Sequence, residues 1–463
     1  MALCDLKFIF YFLPVFMIIY ALAGTKLRGT VLILGSLVFY YLGAGWFDTA
    51  LLAAVIVINF FIAGAIEMNS GGTRKFLLIL ALVLDFGLLL YYKYAGYFSS
   101  IFALTENVGA YLAGLIMPLG MSFYIFSLTA YVIDVYRSYT AHERNFLRYA
   151  EYALMFPKLI SGPIVRYREL RSELRLTGIT RKNLEDGFCT FTIGLGYKIL
   201  LADNLATIWE YIRQIGFENI STPLAWIGVL GYSLQLYFDF NGYSLMAMGI
   251  GKMMGFTFPL NFDLPYLSTS VSEFWRRWHI TLGAWFRDYI YIPLGGSKKG
   301  KLRLIISLTA VWLLTGIWHG SSLNFLLWGM SILAFILLER FAIGGFLKKH
   351  SLLAHLYVCF VIPQTWIIFA IPDIKDIGYY FQRLYPFIGK SGEFVYELDY
   401  VDALGSGWWM LVAGILLCLP FARKLYMKHQ TNVITVLVLF AVFWASVYMI
   451  VQHGSNPFMY FAF

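Results

Sequence analysis

Apolar stretches of about 17 to 25 residues, each long enough to cross a bilayer as a helix, recur along nearly the whole 463-residue chain. They fall near residues 8–24, 30–47, 49–66, 76–97, 108–136, 188–208, 223–251, 302–318, 323–338, 352–371, 405–420 and 431–451. Composition agrees: 60% of residues are apolar and only 13% charged, against about 25% charged in an ordinary globular protein. So few charges cannot solvate a surface of this size. The expectation is an all-α integral membrane protein of about 11–12 transmembrane helices plus re-entrant and interfacial helices. No repeat of 20 to 50 residues, low-complexity tract or Pro/Gly/Ser linker interrupts the array, so residues 1–463 are expected to form a single polytopic membrane domain. The first span ends in Ala21-Leu22-Ala23, which resembles a signal-peptidase site. Its basic leader is nearly absent and further spans follow at once, so a retained helix is expected.

A net charge of +9 would suggest nucleic acid in a soluble chain. Its placement argues otherwise. With the amino terminus outside, residues 25–30, 67–76, 137–187, 252–303, 339–350 and 421–429 face the cytoplasm. They carry 28 of the 35 Lys and Arg against 11 of the 26 Asp and Glu, a balance of +17 with −8 elsewhere. Positive charge spread over six loops follows the positive-inside rule rather than forming one basic face. The expected surroundings are therefore the lipid bilayer of a cell membrane, probed by a multi-pass chain, with no nucleic-acid partner. Cys4, Cys189, Cys359 and Cys418 stand apart, without a C-x-x-C pair or Cys/His cluster, so neither a metal site nor a disulfide framework is expected.

Two cytoplasmic segments do not look like plain loops. Residues 152–165 are apolar, too short to span, and broken by Pro157, Gly162 and Pro163. Such a segment either re-enters the protein to line a cavity or rests among lipid headgroups, and the sequence leaves both open. Ser272 to Tyr289 reads as one amphipathic helix: Phe274, Trp275, Trp278, Leu282, Trp285, Phe286 and Tyr289 form one stripe, and Arg276, His279, Gly283 and Arg287 another. Ser272 and Glu273 supply a start, and Pro293 with Gly295-Gly296 a stop. A helix of this kind also fits the membrane interface.

A second histidine changes the balance. His319 lies between two apolar spans, roughly 24 Å from Arg303 along a straight helix at about 1.5 Å per residue. An ionisable group at such depth is a functional candidate by default, although a neutral histidine bridging two helices is the bland alternative. A neutral imidazole can take a proton from an attacking hydroxyl, which is worth about 10²- to 10⁴-fold in rate. A nucleophile elbow, a P-loop, H-E-x-x-H and a dinucleotide fingerprint are all missing from the sequence; Gly249-Ile250-Gly251-Lys252 comes nearest to a phosphate loop but is followed by Met253. Direct attack of an acceptor on an activated donor is then simpler than a covalent acyl-enzyme.

From about Pro118 to the end, the sequence resembles the membrane-bound O-acyltransferase family, and within it the branch of the alginate O-acetyltransferase membrane subunit. The resemblance rests on Phe156-Pro157-Lys158-Leu159-Ile160-Ser161-Gly162-Pro163, Tyr237-Phe238-Asp239-Phe240-Asn241-Gly242-Tyr243-Ser244 and Glu273-Phe274-Trp275-Arg276-Arg277-Trp278-His279. It extends to Phe286-Arg287-Asp288-Tyr289, Trp318-His319-Gly320 and the terminal Asn456-Pro457-Phe458-Met459-Tyr460-Phe461-Ala462-Phe463. It implies a multi-span funnel, His319 as the catalytic base and His279 as a second functional histidine. The same blocks supply substrate-binding candidates: Trp318, Arg276, Arg277, Trp278, Arg287, Asp288, Asp239, Asn241 and Ser161. One departure is Leu245 in Tyr243-Ser244-Leu245-Met246, where the family branch carries an acid; Asp239 is the carboxylate left in that block, and a buried structural acid is its other reading.

The resemblance further implies transfer of an acyl group, usually acetyl, from a cytoplasmic thioester donor, acetyl-CoA or an acylated carrier, with no bound cofactor. A separate extracytoplasmic acetyltransferase partner then completes O-acetylation of an exported or cell-envelope polysaccharide. In this reading His279 lies towards the donor side and His319 towards the acceptor side. Arg276, Arg277, Arg287, Lys298 and Lys299 cluster near His279, where an anionic donor would approach. Two alternatives remain at this point: D-alanyl transfer to teichoic acid, and a polysaccharide or lipid transporter whose path would be lined by Asp85, Lys198, Asp203 and Asp239.

Overall fold

The computed structural model describes the chain except residues 102–105, 176–177, 388–395, 406, 455, 457 and 460–463. Parts of the terminal block, residues 457 and 460–463, therefore lie outside the described residues. Among the described residues there is no strand. The protein is an all-α, multi-pass membrane protein. Six helices are long and apolar enough to cross a bilayer, or seven if Asp399–Gly405 and Trp408–Leu417 count as one bent span. The sequence places about twelve spans, and the difference has local causes. Residues 30–47 and 49–66 fall in two helical segments that meet directly at a kink, where Gly45 turns the chain with φ 81° in place of a loop, so that Gly24–Met68 counts as one long element. In the span expected at 108–136, the long helix begins only at Met121, after Gly120 at φ 70°.

The chain divides into two compact units: Met1–Phe191 with Tyr243–Pro259, and Thr192–Gly242 with Leu260–Phe463. The first contains α1 (Phe8–Leu22), α2 (Gly24–Met68), α3 (Gly71–Ser99), α4 (Met121–Tyr136) and α5 (Phe146–Leu154). Its core is aromatic: Tyr131 packs on Tyr149 and Tyr167 at 4.7 and 5.1 Å between ring centroids, and Tyr152 on Tyr167 at 5.3 Å. Buried hydroxyls need partners, and those of Tyr131, Tyr152 and Tyr167 have them. Tyr152 donates to the carbonyl of Val165 and Tyr167 to Glu143.

That network decides how residues 152–165 are housed. All of them are buried in the first unit rather than laid on its surface. Their irregular backbone is satisfied inside the protein, by Tyr152 at Val165 and by Ser36 Oγ at the Phe156 N–H. Gly162 is needed because a Cβ there would fall 2.6 Å from the Pro157 carbonyl oxygen. Asp85 is also settled within this unit, between the Asn59 amide at 2.8 Å and the Thr129 hydroxyl at 2.9 Å.

The second unit contains α6 (Val271–Arg277), α7 (Ile280–Phe286), α8 (Lys301–His319), α9 (Leu323–Leu338), α10 (Ser351–Ala370) and α11 (Val433–His453). Residues 320–322 fold α8 and α9 into a hairpin. Gly316 and Gly329 let their backbones meet, since a Cβ at Gly329 would lie 2.6 Å from the Trp312 carbonyl oxygen. Elsewhere in this unit Lys198 is buried between Asp203 and Asp239, at 2.6 and 2.7 Å. Those carboxylates also accept backbone N–H groups from Asn456 and Met459. The four charged residues of the transporter reading are thus held by protein partners.

Candidate active site

The segment expected as one helix from Ser272 to Tyr289 is two helices and a final π turn, Arg287–Tyr291. α6 starts at Ser270, two residues earlier than the sequence suggests, where Ser270 Oγ accepts the Glu273 N–H at 3.0 Å. Glu339 from the end of α9 also accepts the Val271 and Ser272 N–H groups. The break falls at Trp278 and His279, the latter in the left-handed region at φ 43°. The run Asn261 to Asp263 replaces the missing helical bonds. Asp263 N–H donates to the Arg277 carbonyl and Ile280 N–H to the Asn261 carbonyl, both at 2.9 Å.

This break buries His279, which is 3% exposed, instead of leaving it on the outer stripe. Its Nδ1 lies 3.0 Å from Asn261 Oδ1, which also receives the Thr281 hydroxyl at 2.9 Å and the Thr281 N–H. A backbone N–H can only donate, so that atom is the amide oxygen, Nδ1 carries the proton, and Nε2 holds the lone pair. Burial pushes the His279 pKa down to about 3, so the ring is neutral at physiological pH. Phe240 stacks edge-on against it at 4.6 Å.

His319 is the last residue of α8 and is 4% exposed. Its ring is set by Trp318 at 4.6 Å, Trp328 at 5.0 Å and Phe369 at 5.0 Å. Trp318 is also 6.4 Å from the His279 ring, so one indole touches both imidazoles. The two histidines line a single cavity of about 490 Å³ within the second unit. The sequence reading sets them towards opposite sides of the membrane. The structure brings them together, because the break at Trp278-His279 carries His279 inward to the end of α8.

The other expected site residues divide. Arg276, Trp278 and Arg287 line the same cavity. Trp318 does not line it; its ring packs beside both histidines, 4.6 Å from His319 and 6.4 Å from His279. Arg277 is instead bonded to Glu273 at 2.8 Å and faces the Asp263 carbonyl, and Asp288 is paired with Arg287 at 2.7 Å. Asp239 holds Lys198 and the Met459 N–H, and Asn241 bonds the Tyr237 hydroxyl at 3.3 Å. Ser161 is fully buried in the first unit. None of these last five lines the cavity.

Several lining residues escape sequence reasoning. Trp275, Trp312, Trp328 and Trp366 wall the cavity, and Trp275 packs on the other three at 4.9 to 5.6 Å. The indole N–H groups of Trp275 and Trp328 are buried without a hydrogen-bond partner among the described residues. A buried donor without a partner is costly, and here two of them border the cavity that holds both histidines. Asn261 was equally invisible, since a lone Asn in a loop carries no signal. Arg340 extends the rim, and with Arg276 it also borders a more polar cavity of about 590 Å³ that includes Lys348. Among the described residues no three His, Cys, Asp or Glu are grouped to hold a metal ion.

Comparison with known proteins adds an independent line. The sequence profile of the membrane-bound O-acyltransferase family matches residues 37–372. A Pseudomonas putida protein named "Probable alginate O-acetylase AlgI" is 32% identical, over 98% of this chain and 99% of its own length. A Helicobacter pylori peptidoglycan O-acetyltransferase is 36% identical over 70% of this chain and 67% of its own. A Bacillus subtilis teichoic acid D-alanyltransferase is 30% identical over 47% of this chain and 57% of its own.

Proposed function

Since the chain belongs to the membrane-bound O-acyltransferase family, we propose that it passes an acetyl group from a cytoplasmic thioester donor across the membrane, for O-acetylation of an exported or cell-envelope polysaccharide. The protein is an O-acyltransferase. The observation that carries the finer reading is the shared cavity: two buried histidines and two indole donors border one space large enough for an acyl thioester.

In the proposed step His319 takes the proton of an acceptor hydroxyl as its oxygen attacks the thioester carbonyl. The developing oxyanion is met by the Trp275 or Trp328 N–H. The C–S bond then breaks, the new ester leaves on the acceptor, and the proton returns from His319 to the thiolate, so that alcohol and thioester become ester and thiol. His279, neutral and oriented by Asn261, lines the same cavity. Arg276, Arg287 and Arg340 give the mouth the positive charge that an anionic donor, acetyl-CoA or an acylated carrier, requires. The charge pattern supports an amino terminus outside the cytoplasmic membrane, and the family resemblance supports a separate extracytoplasmic acetyltransferase as partner.

The test is mass spectrometry of envelope glycans from cells carrying wild-type protein or His319→Ala. Acetyl ester is expected to vanish in the variant at unchanged protein level and membrane insertion; undiminished acetyl content sinks the assignment of His319. D-alanyl esters lost in place of acetyl would favour the teichoic acid reading, which the partial similarity to D-alanyltransferases supports.

A further inference from the structure

A second built site lies in the first unit, remote in sequence from both histidines. Thr25, Lys26 and Thr30, in the opening turns of α2, and Asn145, Arg148 and Glu151, around α5, line a polar cavity of about 510 Å³. Glu151 is 5% exposed, yet its carboxylate has no hydrogen bond or ion pair among the described residues. Its place is reserved by Gly29, where a Cβ would fall 2.8 Å from Oε2. A carboxyl group this deeply set, opening onto the cavity with Arg148 as its nearby charge and no bonded donor, favours a cationic or N–H-rich ligand.

The surroundings narrow the ligand. Lys26 and Arg148 border the same cavity, so it offers a buried anion beside two cations and two hydroxyls, a pattern that fits a zwitterion better than a simple amine or a simple phosphate. The cavity sits at the first turns of a helix long and apolar enough to span, which is where lipid headgroups lie. Its flank is apolar and open: Leu147, which lines it, is 55% exposed, and Leu22 and Leu27 beside Thr25 and Lys26 are 82% and 60% exposed. The geometry points to a phospholipid site for an ethanolamine headgroup, with the ammonium on Glu151, the phosphodiester on Lys26 and Arg148, and the acyl chains along the leucine flank. An ammonium with three N–H donors suits this place; a quaternary choline cannot donate to Glu151.

The experiment is native mass spectrometry of the delipidated full chain in detergent, titrated separately with phosphatidylethanolamine, phosphatidylglycerol, phosphatidylcholine and water-soluble glycerophosphoethanolamine. Wild-type protein is expected to retain phosphatidylethanolamine in preference to the other three. Glu151→Gln should weaken that retention about tenfold, the scale of one charge-assisted hydrogen bond, and leave phosphatidylglycerol unchanged. Gly29→Ala keeps the charge but displaces the carboxylate, and it should have the same effect if Glu151→Gln does not fold. Equal retention of ethanolamine lipid by wild-type, Glu151→Gln and Gly29→Ala proteins overturns the site, because a carboxyl that is merely protonated in place predicts that result. Equal binding of the soluble headgroup overturns the lipid.

Discussion

His279 combines two conditions that oppose each other, a left-handed backbone and complete burial, and Asn261 reconciles them. Histidine is among the residues that tolerate a positive φ, and the cost is met here by bonds to both the backbone and the side chain of Asn261. Asn261→Ala should strand the His279 Nδ1–H and the Thr281 hydroxyl, lowering stability by about 1–3 kcal/mol and acyl transfer with it. Thermal unfolding in detergent together with an acetylation assay checks both. The pH dependence follows from burial. The folded imidazole has its pKa near 3 against 6.5 when unfolded, so the unfolded chain binds the extra proton between those values. The contribution is complete above pH 6.5 and is lost as pH falls through the window towards 3. Between about pH 7 and pH 5 the thermal midpoint should fall less steeply for His279→Asn than for wild type; parallel slopes would remove His279 from the acid response. The sequence marks His279 as a candidate but not its setting, because Phe274, Trp278 and Leu282 keep a helical period straight through the break.

Helices α8 and α9 show how a span positions chemistry at its end. His319 closes α8, and its neighbours Trp328 and Phe325 come from α9, so the hairpin spacing fixes the imidazole. That spacing rests on Gly316 and Gly329. At Gly329 the obstructing atom is the Trp312 backbone oxygen, which cannot swing aside. Gly329→Ala is therefore expected to cost about 1–3 kcal/mol and to lower transfer. Gly345→Ala, where nothing lies within 4 Å, should leave the thermal midpoint nearly unchanged. An equal response at the two positions would mean that helix propensity, not packing, sets the effect. At this scale apolar length made the spans of α8 to α11 readable in the sequence, since each needs only its own residues. The joined pair in α2 was not readable, because a single glycine at φ 81° leaves no mark in hydropathy. The tryptophan wall was hidden for a related reason: its members come from α6, α8, α9 and α10, and residues so far apart in sequence meet only in the fold.

Across the whole molecule, charge is the property that binds the elements to an orientation. A chain with +17 in six loops and −8 elsewhere is expected to insert with those loops in the cytoplasm, since exporting basic segments against the membrane potential is disfavoured. The cavity mouth at Arg276, Arg287 and Arg340 belongs to two of those loops, so orientation and donor access stand or fall together. Ser297 and Lys375 are both exposed and lie in segments assigned to opposite sides. In a background with Cys4, Cys189, Cys359 and Cys418 replaced, a membrane-impermeant maleimide added to intact cells should label Lys375→Cys and spare Ser297→Cys. In inverted vesicles the pattern should reverse. Labelling of Ser297→Cys from outside would put the basic mouth on the wrong side for a cytoplasmic thioester. The donor reading would then fail, while membership of the family and the geometry of the two histidines would remain.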